Sequence, residues 1–236
     1  GKSSVSANLA ASLSKKGYKT GLMDVDVHGP SIAQMLGLTE LLDISPESHL
    51  LIPKQVNENL KVVSVQALMQ DRDQAIIWRG PAKTGMIRQF VSSVEWGELD
   101  FLIIDAPPGT GDEPLTVVQT IPEALGVIVT TPQEVALADI RKSISFCKTV
   151  QLKTLGIVEN MAGFSCPHCQ QHIDLFSKGG GEKTARAQGL SFLGSIPFDT
   201  RVVASGDSGV PLMFSDDESL FSKAFTTIVD NIIKQL

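Results

Sequence analysis

Short, uninterrupted apolar runs that end in polar residues limit this chain's fold more than any other feature. Phe101-Leu-Ile-Ile-Asp105 is the clearest. Gly126-Val-Ile-Val-Thr-Thr131 and Thr154-Leu-Gly-Ile-Val-Glu-Asn160 repeat the pattern, and Thr20-Gly-Leu-Met-Asp-Val-Asp26 is a shorter version ending in carboxylates. Such runs suit parallel strands covered on both faces. Leu60 to Val65 and Phe192 to Ile196 read as further strands. Between them the apolar spacing turns helical. Val5, Leu9, Ala10 and Leu13 mark a helix over 3–16, and Met86, Ile87, Phe90, Val91 and Val94 another over 83–94. Ser31 to Leu36 predicts a short helix stopped by Gly37, Val135 to Val150 a crossover helix, and Glu218 to Leu236 the last helix. Residues 38–59 are turn-rich and predict irregular structure. The alternation implies right-handed crossovers and an α/β fold, a doubly wound, mostly parallel sheet flanked by helices. No repeat, low-complexity tract or linker divides 1–236, so a single domain is expected.

The chain has 236 residues and a net charge of −6, without a run of Lys or Arg. That balance argues against general nucleic-acid binding, which wants a basic face. No apolar stretch reaches the roughly 18 residues that span a bilayer, and no signal peptide is visible. Three cysteines in a chain this long do not form a disulfide framework. A reducing cytoplasm is the expected compartment, where thiols are available for metal work.

Gly1-Lys2-Ser3-Ser4 opens the first helix and has the residue types of the end of a phosphate-binding loop. Small residues let backbone N–H groups reach phosphate oxygens, a Lys meets the outer phosphates, and a hydroxyl meets Mg²⁺. Four residues alone are weak; the context strengthens them. Asp105 ends a buried strand, where ligands bind in such sheets, and can serve the magnesium shell. Ala-Pro-Pro-Gly109-Thr110-Gly111-Asp112 follows it as a mobile loop able to sense a γ-phosphate. The plainer reading is a strand cap and an ordinary turn. Asp24 and Asp26, two residues apart on a strand, point the same way. Near a polyphosphate they need a cation or a water between, so Asp24 is assigned to the metal and Asp26 to the attacking water.

Cys166-Pro-His-Cys169 can supply two thiolates to a metal, whereas a closed site wants four ligands. His168 and His172 make a mixed zinc site conceivable. A twofold dimer offers another count: two pairs across the axis suit a [4Fe–4S] cluster. A redox role is a third reading. On chemistry alone Zn²⁺ and cluster stay equally open. Cys147 reads as a small buried hydrophobe on a helix.

Taken in order, these motifs resemble the Mrp/ApbC-type iron–sulfur carrier ATPases, a branch of the MinD/ParA-like P-loop proteins. Gly-Lys-Ser-Ser at the start, Asp-Val-Asp-Val-His-Gly-Pro-Ser at 24–31 and Trp-Arg-Gly-Pro at 78–81 match. So do Trp-Gly-Glu-Leu-Asp at 96–100, Asp-Ala-Pro-Pro-Gly-Thr-Gly-Asp at 105–112, Cys-Pro-His-Cys at 166–169, Gly-Gly-Gly-Glu at 179–182, Ile-Pro-Phe-Asp at 196–199 and Ser-Gly-Asp-Ser-Gly at 205–209. The resemblance implies ATP and Mg²⁺ at Gly1, Lys2, Ser3 and Ser4, with catalysis by Lys2 and Asp26. It also implies an adenine-reading Asn160, whose plainer reading is a strand-end turn residue, and Pro197 and Asp199 on the other side of the base. It moves the cysteine pair to a [4Fe–4S] cluster in a loop at about 163–174, shared by a homodimer and passed to apo iron–sulfur proteins, with scaffold proteins as further partners. The family's first strand, its glycine turn and a Lys that crosses the dimer precede residue 1. Hydrolysis is expected to be slow, since no arginine finger is evident. The alternatives are a MinD/ParA-like positioning switch without a cluster, and a zinc-stabilised nucleotide-binding module. Trp78 reads as packing or a partner-facing loop. The last helix has too few basic residues for a membrane helix and is expected to pack on the sheet.

Overall fold

Apolar runs become strands here because their side chains are buried by helices on either side. The computed structural model describes residues 1–69, 80–166, 169, 171–174, 176, 179–215 and 218–236. Trp78, Arg79 and His168 lie outside the described residues. In chain order the elements are α1 (Lys2–Lys15), β1 (Thr20–Asp24), α2 (Ile32–Met35), β2 (Asp43–Ile44), β3 (Leu51–Ile52), β4 (Lys54–Asn57), β5 (Leu60–Ser64), α3 (Gly80–Ser92), β6 (Phe101–Asp105), α4 (Asp112–Thr120), β7 (Leu125–Thr130), α5 (Glu134–Thr149), β8 (Lys153–Ser165), β9 (His172–Ile173), α6 (Gly180–Gln188), β10 (Phe192–Phe198), α7 (Thr200–Ser208) and α8 (Leu220–Ile233).

Two sheets result. One runs β4-β5-β1-β6, the other β10-β8-β7 with β9 added to β8. Apart from the antiparallel strands β4 and β9, all their pairings are parallel. Among the described residues β6 bonds only to β1, and β7 only to β8, so each keeps one edge free of strand partners. α1 spans the junction, touching β1, β6 and β7. Phe101 and Ile103 of β6 share one apolar core with Val127 and Val129 of β7, Val5 and Leu9 of α1, and Phe225 and Val229 of α8. The α/β architecture matches the sequence pattern; the division into two hydrogen-bonded sheets was not foreseen.

Residues 38–59 are turn-rich, as expected, but not wholly irregular. β2 and β3 form an antiparallel pair, and β4 adds antiparallel to β5. Lys54 holds Glu40 at 3.3 Å and Asp43 at 3.1 Å, which ties this segment together. Strands of two residues are too short to show a period. α8 lies on β10, with Phe221, Phe225, Ile228, Val229 and Ile232 buried, as its apolar face predicts.

Candidate nucleotide site

Three strand ends come level in the first sheet. Asp24 of β1 stands in register with Ser64 of β5 and with Asp105 of β6. Asp24 is wholly buried. Its Oδ2 accepts from Ser64 Oγ at 2.9 Å and from the Ile32 N–H at 3.4 Å, and its Oδ1 from the Asp26 N–H at 3.1 Å. Burial, reinforced by the Asp105 charge, pushes its carboxyl up to about 7. Asp105 is also buried and raised by burial, with the hydroxyls of Ser3 and Ser6 and the Lys2 ammonium opposing the rise. Ser6 Oγ donates to its Oδ1 at 2.8 Å. Its Oδ2 is buried without a hydrogen-bond partner. An orphaned carboxylate oxygen beside a second buried carboxylate and a serine hydroxyl is a donor set that fits Mg²⁺, a hard cation that takes oxygen ligands.

Asp26 does not share the strand with Asp24. β1 stops at Asp24, and the backbone then turns. Asp26 Oδ1 accepts the N–H groups of His28 and Gly29 at 3.2 Å each, a side-chain-to-backbone turn. The carboxylate is half-buried, and its charge acts on Asp105.

α1 begins directly after Gly1. Asn160 Nδ2 donates to the Gly1 carbonyl at 3.4 Å, and any Cβ on Gly1 would overlap that amide. The helix start and the end region of β8 are therefore in contact. Beside them lies a cavity of about 350 Å³, a size ordinary for small-ligand sites. Four of the candidate site residues, Ser4, Asn160, Pro197 and Asp199, line it together with Met35 and Phe198, which the sequence did not reveal. Asp199 caps α7 through the Arg201 N–H at 2.9 Å, and Arg201 Nη2 meets its Oδ2 at 2.6 Å. α2 and α7 supply facing walls. They meet where Gly37 (φ +63°) and Gly209 (φ +75°) approach so closely that a Cβ on Gly209 would overlap the Gly37 backbone.

Gly109, Thr110 and Gly111 lie exposed between β6 and α4, with Gly109 at φ +96°. They stand next to Asp105 in the chain, on the side where the strand ends converge.

β8 carries more than Asn160. Met161 (φ +57°) and Gly163 (φ +81°) kink it, and pairing with β10 jumps from Ile196↔Asn160 to Phe198↔Phe164. Cys166 follows the last residue of β8 and donates its N–H to the Gln171 carbonyl at 3.0 Å, while β9 pairs back on Phe164 and Ser165. Cys166 is half-buried and Cys169 exposed. At the far root of this segment the Gly181 N–H bonds the buried Glu159 Oε2 at 2.5 Å. His172 instead pairs with Asp174 at 2.9 Å. Among the described residues no group of three or more His, Cys, Asp or Glu could hold a metal. Cys147 is buried on α5, and burial pushes its thiol up.

A profile of the ParA family, described as NUBPL iron-transfer P-loop NTPase, matches residues 1–233. The chain belongs to this family. An iron-sulfur cluster carrier protein of Methanococcus maripaludis is 47% identical over 238 residues, covering 100% of this chain and 82% of that protein. The cytosolic Fe-S cluster assembly factor CFD1 of Saccharomyces cerevisiae is 42% identical over 243 residues, covering 100% and 83%. A nucleotide-binding protein of Archaeoglobus fulgidus, solved with ADP, is similar at a TM-score of 0.77 and 39% identity, over 93% of this chain and 86% of that one. The cell division ATPase MinD of Pyrococcus furiosus shares the fold at a TM-score of 0.70 and 20% identity, over 100% of this chain and 94% of that one. As a NUBPL-type P-loop NTPase, this chain joins the nucleotide-hydrolysing fold to a cysteine-bearing hairpin on one strand.

Proposed function

We propose that the protein is an ATP-hydrolysing iron–sulfur cluster carrier that works as a homodimer. The observation that supports this best is β8, which sends Asn160 to the cavity wall and is followed directly by Cys166. ATP would place its base between Asn160 and the Pro197–Asp199 segment, and its phosphates at Gly1, Lys2, Ser3 and Ser4. Ser3, Asp24 and Asp105 would hold Mg²⁺, which when bound offsets charge on the phosphate oxygens. Lys2 stabilises outer-phosphate charge, Asp26 orients the water, and the Gly109–Gly111 loop reads the phosphate state. Each subunit contributes Cys166 and Cys169, so a pair of subunits offers four thiolates to a [4Fe–4S] cluster as cargo. Recipients are apo iron–sulfur proteins, with a scaffold protein as donor, in the cytoplasm. Neither nucleic acid nor membrane is among the partners we propose: the charge is −6, and no helix among the described residues is long and apolar enough to cross a bilayer.

The test is anaerobic reconstitution with iron and sulfide, comparing the wild type with a Cys166→Ala/Cys169→Ala double variant. A cysteine-dependent cluster absorption band, at one cluster per two chains, is expected. Stoichiometric zinc in its place, or a band that survives loss of both thiols, overturns the reading.

A further inference from the structure

The loops that follow β1 and β6 are joined by a charged contact that the nucleotide chemistry above leaves unused. Lys83 lies in the first turn of α3 and Glu113 in the first turn of α4. Lys83 Nζ is 2.8 Å from Glu113 Oε1, and the two side chains are only 14% and 6% exposed. The same ammonium lies 2.6 Å from His28 Nε2. An ammonium can only donate, so the imidazole nitrogen accepts. His28 in turn is placed by Asp26, whose carboxylate takes its N–H. The two helices also meet at Thr84 and Thr116, with the hydroxyls 3.3 Å apart. Burial alone raises the Glu113 carboxyl, but its hydrogen bond and charge contact with Lys83 hold it below the usual value.

A stability role explains this arrangement poorly. A buried ion pair gives little net stability over an apolar pair of the same shape. Its third member, His28, leaves 66% of its side chain exposed. What the contact does achieve is connection: one ammonium grips the 25–31 loop through His28 and the start of α4 through Glu113.

We propose that Lys83 is a positioning residue that, through His28 and Glu113, locks the loop carrying Asp26 to the loop of Gly109–Gly111, so that the two respond to nucleotide together. The inference rests on the reading that these loops face ATP.

The test uses the full chain and two measurements. Hydrogen exchange is followed over 25–31 and 106–112 in the wild type, Lys83→Met, Glu113→Gln, His28→Gln, His28→Ala and the charge-swapped Lys83→Glu/Glu113→Lys double variant. Glu113→Gln should speed exchange in 25–31 several-fold, although residue 113 lies on another element. His28→Gln, whose amide oxygen still accepts, should stay close to wild type, whereas His28→Ala should not. The charge swap should restore much of the protection. In ATP hydrolysis, Lys83→Met should lower kcat roughly 10- to 100-fold with KM for ATP within about twofold, the signature of misplaced groups rather than lost binding. Unchanged exchange over 25–31 in both Lys83→Met and Glu113→Gln, or a raised KM at unchanged kcat, overturns the inference. The exposed His28 variants guard against a simple folding defect. A wild type that hydrolyses no ATP would sink the ATPase reading instead, and exchange would still decide the coupling.

Discussion

Asp24 has no exposure to solvent, yet the role proposed for it needs a charge. Its carboxyl sits at about 7 instead of 3.8, so between these values the folded chain binds more protons than the unfolded one. Stability must therefore fall as pH rises from about 4 to 7, and level off above. The shift corresponds to roughly 4 kcal/mol. Without Mg²⁺, Asp24→Asn should remove most of that slope and stabilise the chain at pH 8, as read by urea unfolding at several pH values; Asp105, raised for the same reason, keeps the remainder. Added Mg²⁺ should stabilise the wild type and not the variant. Asn160→Ala should weaken ATP binding by about 1–2 kcal/mol with little effect on triphosphate contacts, measured by calorimetry with ATP and with inorganic triphosphate; equal losses for both would remove the base-reading role. Sequence reading found both aspartates because each ends an apolar run. It missed that Asp24 comes level with Asp105 and that the strand stops short of Asp26, because register between strands and a turn just past a strand end leave no periodic trace.

Helices of ordinary length with an apolar stripe were legible: α1, α5 and α8 all lie within a few residues of where the spacing put them. α4, α6 and α7 were not. Each has nine residues and a glycine at a cap, so no stripe repeats often enough to register. The cavity depended on one of these unseen elements. Its α2 and α7 walls are joined by Gly37 and Gly209, whose close approach leaves no room for a side chain at Gly209. Both also have left-handed backbone that other residues adopt at a cost. Gly209→Ala should therefore cost about 1–3 kcal/mol in stability, and should weaken nucleotide binding further by parting the walls. Thermal unfolding with and without ADP separates the two effects. A variant that loses stability but gains the same increment from ADP as wild type would show that the glycine contact does not shape the cavity.

For the whole molecule, the unpaired inner edges of β6 and β7 are the main departure from the expected single sheet. Their residues are mostly half-buried, in contact with α1 but, among the described residues, not bonded to another strand on that side. Open edges recruit strands. The chain should therefore associate beyond a dimer as its concentration rises, as followed by light scattering; an unchanging mass at every concentration would mean that α1 by itself covers the junction. The hairpin bearing Cys166 and Cys169 is held differently, since both its roots rest on β8: one is Ser165 itself, the other the Gly181 bond to Glu159. It is thus an exchangeable part. Its length and composition can drift over generations, or be replaced by an engineer, while the register of the strands below stays fixed, so the chemistry at its tip is free to diversify on an unaltered P-loop fold.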